Sequence, residues 1–194
     1  MTKVKAGKTS RSNTAKLDSW IEKALQTVCY WMGYENMLFP TKVLPELALG
    51  TEFSKLLKNF APKDVRILRE CPYSKDKKQR VDIAIVDAGK VELAKKGNLS
   101  ECKYAIELKC HASLKQIAKD VKKLGDIKRK NPDMKTYSVM FTDKYSKDFL
   151  NDNGEANRNL PEKYSHLRVA RVCKVTESFR KRMKAYFAIL VEIK

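Results

Sequence analysis

The sequence predicts an α/β fold in which a central β-sheet is flanked by helices. Two observations carry this. Short runs rich in β-branched and aromatic residues recur at Val65–Glu70, Arg80–Val86, Tyr104–Cys110, Thr136–Thr142 and Leu167–Val175. Between and before them stand longer stretches whose apolar residues repeat at helical spacing. A chain of 194 residues is long enough for one domain with a sizeable core, and no internal repeat divides it.

Residues Met1 to Lys16 carry Lys3, Lys5, Lys8, Arg11 and Lys16 among Ser, Thr, Gly and Asn, with little apolar material. They are expected to form a basic flexible tail over residues 1–16, ahead of a single domain over 17–194. A helix is expected from Leu17 to Met32, where Trp20, Ile21, Ala24, Leu25, Val28 and Trp31 share a face. Asp18 or Ser19 stands at its cap and Gly33 at the place of a C-terminal stop. A second helix is expected from Leu44 to Phe60, with Pro45 in its first turn and Gly50 weakening its middle. Pro62 and Asp64 mark a turn before the strand Val65–Glu70, and Pro72 to Lys78 forms a basic turn before the next strand.

Asp87 to Lys103 is long enough to hold an inserted hairpin or an extension of the flanking strands. After Lys109, Ser113 is placed to cap a helix reaching Lys130, with Leu114, Ile117, Val121 and Leu124 as its inner stripe and lysines outside. Asn131-Pro132-Asp133 breaks the chain before the buried strand Thr136–Thr142. Asp143 to Pro161 reads as a long polar loop centred on Asn151-Asp152-Asn153-Gly154. Beyond the strand Leu167–Val175, Thr176 can cap a last helix carrying Phe179, Met183 and Phe187. The apolar run after Ala185 fits a terminal strand equally well.

Chemistry concentrates in two of these strands. Asp82 interrupts Arg80–Val86, while Glu107 and Lys109 interrupt Tyr104–Cys110. Alternation puts Glu107 and Lys109 on one face, with Ile106 and Leu108 packed behind. A carboxylate and an ammonium on a nearly buried strand are costly without a purpose. Two carboxylates brought together by adjacent strands repel unless a divalent cation, a proton or a lysine intervenes. Oxygen ligands of this kind suit Mg²⁺, which takes one or two carboxylates, keeps several waters and accepts substrate phosphate.

Asp82 followed by Glu107-x-Lys109 in two successive strands resembles the PD-(D/E)XK nuclease superfamily, over most of the chain from the helix around Glu22 to the strand ending near Phe141. Two departures stand out. Val81 replaces the proline that names the motif, and the interval between Asp82 and Glu107 is long. The resemblance implies a restriction-endonuclease-like central mixed β-sheet. It implies a Mg²⁺ ion, with Mn²⁺ able to substitute, held by Asp82, Glu107 and the Leu108 backbone carbonyl. Lys109 would orient or help deprotonate a water and stabilise transition-state charge, with DNA as the substrate. In the archaeal junction-resolving branch a first-helix glutamate joins the metal site, and Glu22 is the matching position. Part of the superfamily places a glutamine near the catalytic lysine. Gln116 matches it, although Asp120 occupies the place of the companion tyrosine. Glu70, one hairpin from Asp82, is a further carboxylate able to approach the same cation or to end its strand in solvent.

Composition agrees with a polyanionic partner. Lys and Arg number 41 against 23 Asp and Glu, a formal net charge of +18, and such a charge speeds encounter with nucleic acid whatever the fold. The five cysteines, Cys29, Cys71, Cys102, Cys110 and Cys173, are widely spaced and mostly inside apolar runs, so free thiols in a reducing compartment are expected. No stretch reaches the length of a membrane span and no signal core opens the chain, so a cytoplasmic, DNA-associated protein is expected. The expected activity is Mg²⁺-dependent DNA endonuclease of restriction or genome-defence type. The alternatives are a structure-specific, junction-resolving nuclease acting as a homodimer, and a basic nucleic-acid-binding protein whose core is inactive.

Overall fold

The structure, a computed structural model, describes residues 17–38, 44–74, 78–110, 114–158, 160–176 and 185–194. The expected tail over 1–16 and the Ser113 cap lie outside them. Four helices are present among the described residues, α1 (Ser19–Leu38), α2 (Glu46–Phe60), α3 (Val91–Lys95) and α4 (Leu114–Lys130). Six strands, β1 (Val65–Pro72), β2 (Arg80–Asp87), β3 (Cys102–Cys110), β4 (Lys135–Thr142), β5 (Leu167–Thr176) and β6 (Ala185–Ile193), form one sheet in the order β1-β2-β3-β4-β6-β5. The fold is α/β with a six-stranded mixed sheet flanked by helices. β3 and β4 are parallel and joined through α4, and the other neighbours are antiparallel.

Each face of the sheet carries its own core. On one, α1 and α2 bury Ile21, Leu25, Phe53 and Leu57 against Ile83, Ile106, Tyr137 and Leu190. On the other, α4 buries Leu114, Ile117, Leu124 and Ile127 against Ala84, Ala105, Met140 and Ile189. The stripe read from α4, Leu114, Ile117, Val121 and Leu124, is the buried one, and Ile127 extends it.

Several elements depart from the sequence expectations. α1 runs through Gly33 to Leu38 instead of stopping at Met32. A Cβ on Gly33 would lie 3.2 Å from Val175 Cγ1 and 3.5 Å from Tyr186 Cδ2, so the glycine permits close packing on β5 and β6 and is no terminator. Asp18 accepts the first helical bonds through its carbonyl, and its carboxylate accepts the Tyr104 hydroxyl at 2.6 Å. Gly50 has a similar reason: a Cβ there would approach Leu108 Cδ1 to 2.8 Å, so α2 sits close over β3. The interval from Asp87 to Lys103 holds a helical turn at Ala88–Lys90 and α3, with no hairpin. A helix meets its own backbone hydrogen bonds and needs no partner strand, while Ala94 and Leu99 pack into the second core.

Phe187 lies in β6, the terminal strand, and not on a helix; residues 177–184 fall outside the described set. β6 is covered on both faces and is hydrogen-bonded on both sides, which is why its sequence is apolar almost throughout. The loop between β4 and β5 is pinned by buried Phe149 and Leu150. From it Asp148 accepts the Leu114 N–H at 3.3 Å, placing a carboxylate at the N-terminus of α4.

Candidate active site

The β2–β3 ladder runs from Val86↔Cys102 to Ile83↔Ile106 and stops, although both strands continue. Beyond that point side chains replace the ladder. Asp82 Oδ2 accepts the Leu108 N–H at 2.7 Å, and Glu107 Oε1 accepts the Asp82 N–H at 3.3 Å. The two carboxylates named from the sequence are therefore brought together, each fixed by the other's strand. Opposite them β1 is irregular too. Glu70 adopts φ 49°, and the ladder skips from Arg69↔Ile83 to Cys71↔Val81. Its side chain is exposed, and Glu70 lies inside β1, which continues to Pro72.

Glu107 is only 3% exposed. Burial pushes its carboxyl up to about 7, the negative charge of Asp82 adds to this, and Lys123 opposes it. Lys123, on α4, places Nζ 2.6 Å from Glu107 Oε1 and lies over the Tyr73 ring, 5.6 Å from its centroid. In the structure, then, a lysine pairs with the buried carboxylate.

Lys109 shares the Glu107 face as expected, but its nearest charges come from helices. Its Nζ lies 3.5 Å from Glu46 Oε1 and 3.5 Å from Asp120 Oδ2. Burial alone lowers the pKa of Lys109, and the charges of Asp120, Glu46, Asp82 and Glu107 outweigh it, so the net shift is upward and the side chain stays an ammonium. Glu46 stands in the first turn of α2 and also accepts the Cys110 N–H at 3.2 Å through Oε2. Asp120 is 8% exposed, and among the described residues its Oδ2 has no hydrogen bond of good geometry but lies 3.5 Å from the Lys109 ammonium.

Glu46, Asp120 and Lys123 were not assigned to the site from the sequence. Asp120 carries a legible signal, since it falls beside Ile117, Val121 and Leu124 on the inward side of α4. Lys123 is hidden in a lysine-rich helix, and Glu46 is joined to the site only by the docking of α2. Glu22, the first-helix candidate, goes elsewhere. It forms an ion pair with Arg171 on β5, and β5 lies four strand positions from β2 in the sheet. At strand spacing that is about 19 Å. α1 packs on β5 and β6, so the glutamate of α2, and not that of α1, reaches the end of β3. Gln116 is exposed on the first turn of α4, outside the pairs that hold Lys109.

The donor set suits a hard divalent ion held by two carboxylates. Among the described residues, hydrogen bonds engage Oδ2 of Asp82 and Oε1 of Glu107. A buried carboxylate raised toward neutrality by a second one gains most from a cation. The five cysteines are free, and burial pushes the thiols of Cys29 and Cys102 up to about 12, so they are poor ligands at neutral pH. Among the described residues, no helix is long and apolar enough to cross a membrane. No protein-family model, curated protein or solved structure matches the chain.

Proposed function

We propose that the chain is a Mg²⁺-dependent endodeoxyribonuclease with a restriction-endonuclease-like fold, of restriction or genome-defence type. The observation that supports this reading most is the end of the β2–β3 ladder. There the Asp82 carboxylate accepts the Leu108 N–H, the Glu107 carboxylate accepts the Asp82 N–H, and Lys109 stands alongside on the Glu107 face. Asp82 and Glu107 would hold Mg²⁺ or Mn²⁺, with the Leu108 carbonyl a third ligand by resemblance to the PD-(D/E)XK superfamily. The ion would polarise the scissile phosphate and lower the pKa of a bound water. Lys109, kept protonated by Glu46 and Asp120, orients that water and stabilises the charge that develops on the phosphate oxygens. Distributed lysines and arginines supply affinity for the backbone.

A second reading rests on one contact. Lys123 already neutralises Glu107, so the core would also be stable as an inactive nucleic-acid-binding protein. The junction-resolving reading loses one support, because the first-helix glutamate pairs with Arg171. Incubating the protein with supercoiled plasmid, linear duplex, single strand and branched DNA, each with and without Mg²⁺, separates the three. Metal-dependent cuts in plasmid and linear duplex are expected. Cutting confined to branched DNA favours the resolvase, and binding without cutting favours the inactive core.

A further inference from the structure

Two lysines flank the carboxylate pair, and they are held differently. Lys109 is engaged by Glu46 and Asp120, neither of which belongs to the Asp82–Glu107 pair. Lys123 is engaged by Glu107 itself, at 2.6 Å. An ion bound between Asp82 and Glu107 leaves the Lys109 contacts intact but places a second positive charge on the carboxylate that holds Lys123. Like charges sharing one buried carboxylate repel strongly where water does not screen them. The Lys123 side chain is 22% exposed, so its ammonium can leave Glu107 toward solvent, with the face of Tyr73 on its other side. The anion that would arrive at that opening in a nuclease is the backbone phosphate beside the scissile bond.

We propose that Lys123 is a second phosphate-contacting residue, stored on Glu107 until a divalent ion displaces it. The inference rests on the nuclease reading of the Asp82–Glu107 pair. By linkage the two ligands then help each other. Metal binding frees Lys123 for phosphate, and phosphate draws Lys123 away from the metal's ligand.

The test is a calorimetric titration of Ca²⁺, an ion with the same preference for oxygen ligands, into the full chain, with and without a short DNA duplex. Lys123→Met keeps the apolar stem and removes the charge, and Lys123→Arg keeps the charge. Without DNA, Lys123→Met is expected to bind the ion about tenfold more tightly, as a charge-assisted contact on Glu107 is removed. DNA is expected to tighten ion binding in the unsubstituted protein and in Lys123→Arg, and to do so far less in Lys123→Met. Unchanged or weaker ion binding by Lys123→Met without DNA overturns the proposal. So does an unsubstituted protein whose ion affinity is indifferent to DNA, a result that stands even if Lys123→Met fails to fold. If Asp82→Asn and Glu107→Gln bind the ion as well as the unsubstituted protein, the metal-centre reading itself fails. If binding needs both carboxylates but ignores Lys123, only this inference falls.

Discussion

Asp82 and Glu107 each do two jobs, as charge and as acceptor for a neighbouring strand's N–H. Truncation to alanine would therefore leave a backbone donor unpaired, and Asp82→Asn and Glu107→Gln are the cleaner substitutions. Each is expected to abolish Mg²⁺-dependent cleavage while DNA affinity stays within about twofold, since phosphate contacts dominate affinity. Electrophoretic binding and cleavage assays on the same preparations check this, and undiminished cleavage by either variant removes the assignment. Lys109→Ala should keep ion binding and lose roughly 10²- to 10³-fold in single-turnover rate, the usual cost of one charge-stabilising donor. Loss of ion binding by this variant would contradict the role. Glu107 also sets a pH dependence in the metal-free protein. Its ordinary value is 4.5 and its folded value about 7, so the folded chain holds the extra proton between them. Stability from this group is complete below 4.5 and is lost as pH rises through about 7, a change of at most about 3 kcal/mol. Denaturant melts on either side of this window should show the decline, and Glu107→Gln should flatten it.

At the scale of elements, the site depends on how helix ends are placed. Asp148 in the β4–β5 loop supplies the carboxylate at the start of α4, the helix that carries Asp120 and Lys123. Asp148→Ala is expected to cost about 1 kcal/mol, as the loss of an N-terminal capping group does. Urea denaturation checks it, and no change in midpoint would mean that another group serves the cap. Gly97, just after α3, has φ 87°, and a Cβ there would meet the Ser74 carbonyl oxygen at 2.7 Å. The obstruction is backbone, so it cannot swing aside. Gly97→Ala should destabilise by roughly 1–3 kcal/mol, against the usual small gain from replacing a loop glycine. An unaltered melting temperature would show that the α3 loop adjusts freely.

The whole chain carries a net charge of +18. That field is spread over α4, the sheet edge at β5 and the N-terminal residues, so no single lysine should control affinity. Deleting residues 1–16 removes Lys3, Lys5, Lys8, Arg11 and Lys16. Folding and melting temperature should be unchanged. The slope of log K against log salt should become shallower by about 0.9 for each phosphate that is no longer neutralised, and equally so on unrelated DNA sequences. A slope that does not move makes those residues bystanders and leaves α4 as the leading DNA-binding element.

The first five strands, the inner stripe of α4 and the shared face of Glu107 and Lys109 were legible in the sequence because each is local, whereas the run after Ala185 fitted helix and strand alike. Period-two and period-3.6 patterns record burial directly. The meeting of Asp82 with Glu107 was legible one step further, since the successive strands β2 and β3 are neighbours in the sheet. What the tertiary structure decided is which charges complete the site. Glu22 and Glu46 both stand in the first turns of apolar helices, and nothing local tells them apart. The packing of α1 on β5 and β6, with α2 over β3, sends one to Arg171 and the other to Lys109. Gly33 is read as a stop by any local rule, and it becomes a contact point only when Val175 and Tyr186 come close. The pairing of Lys123 with Glu107 joins two elements that are distant along the chain. No pattern in the sequence distinguishes that lysine from its neighbours, because the buried carboxylate that selects it exists only in the folded sheet.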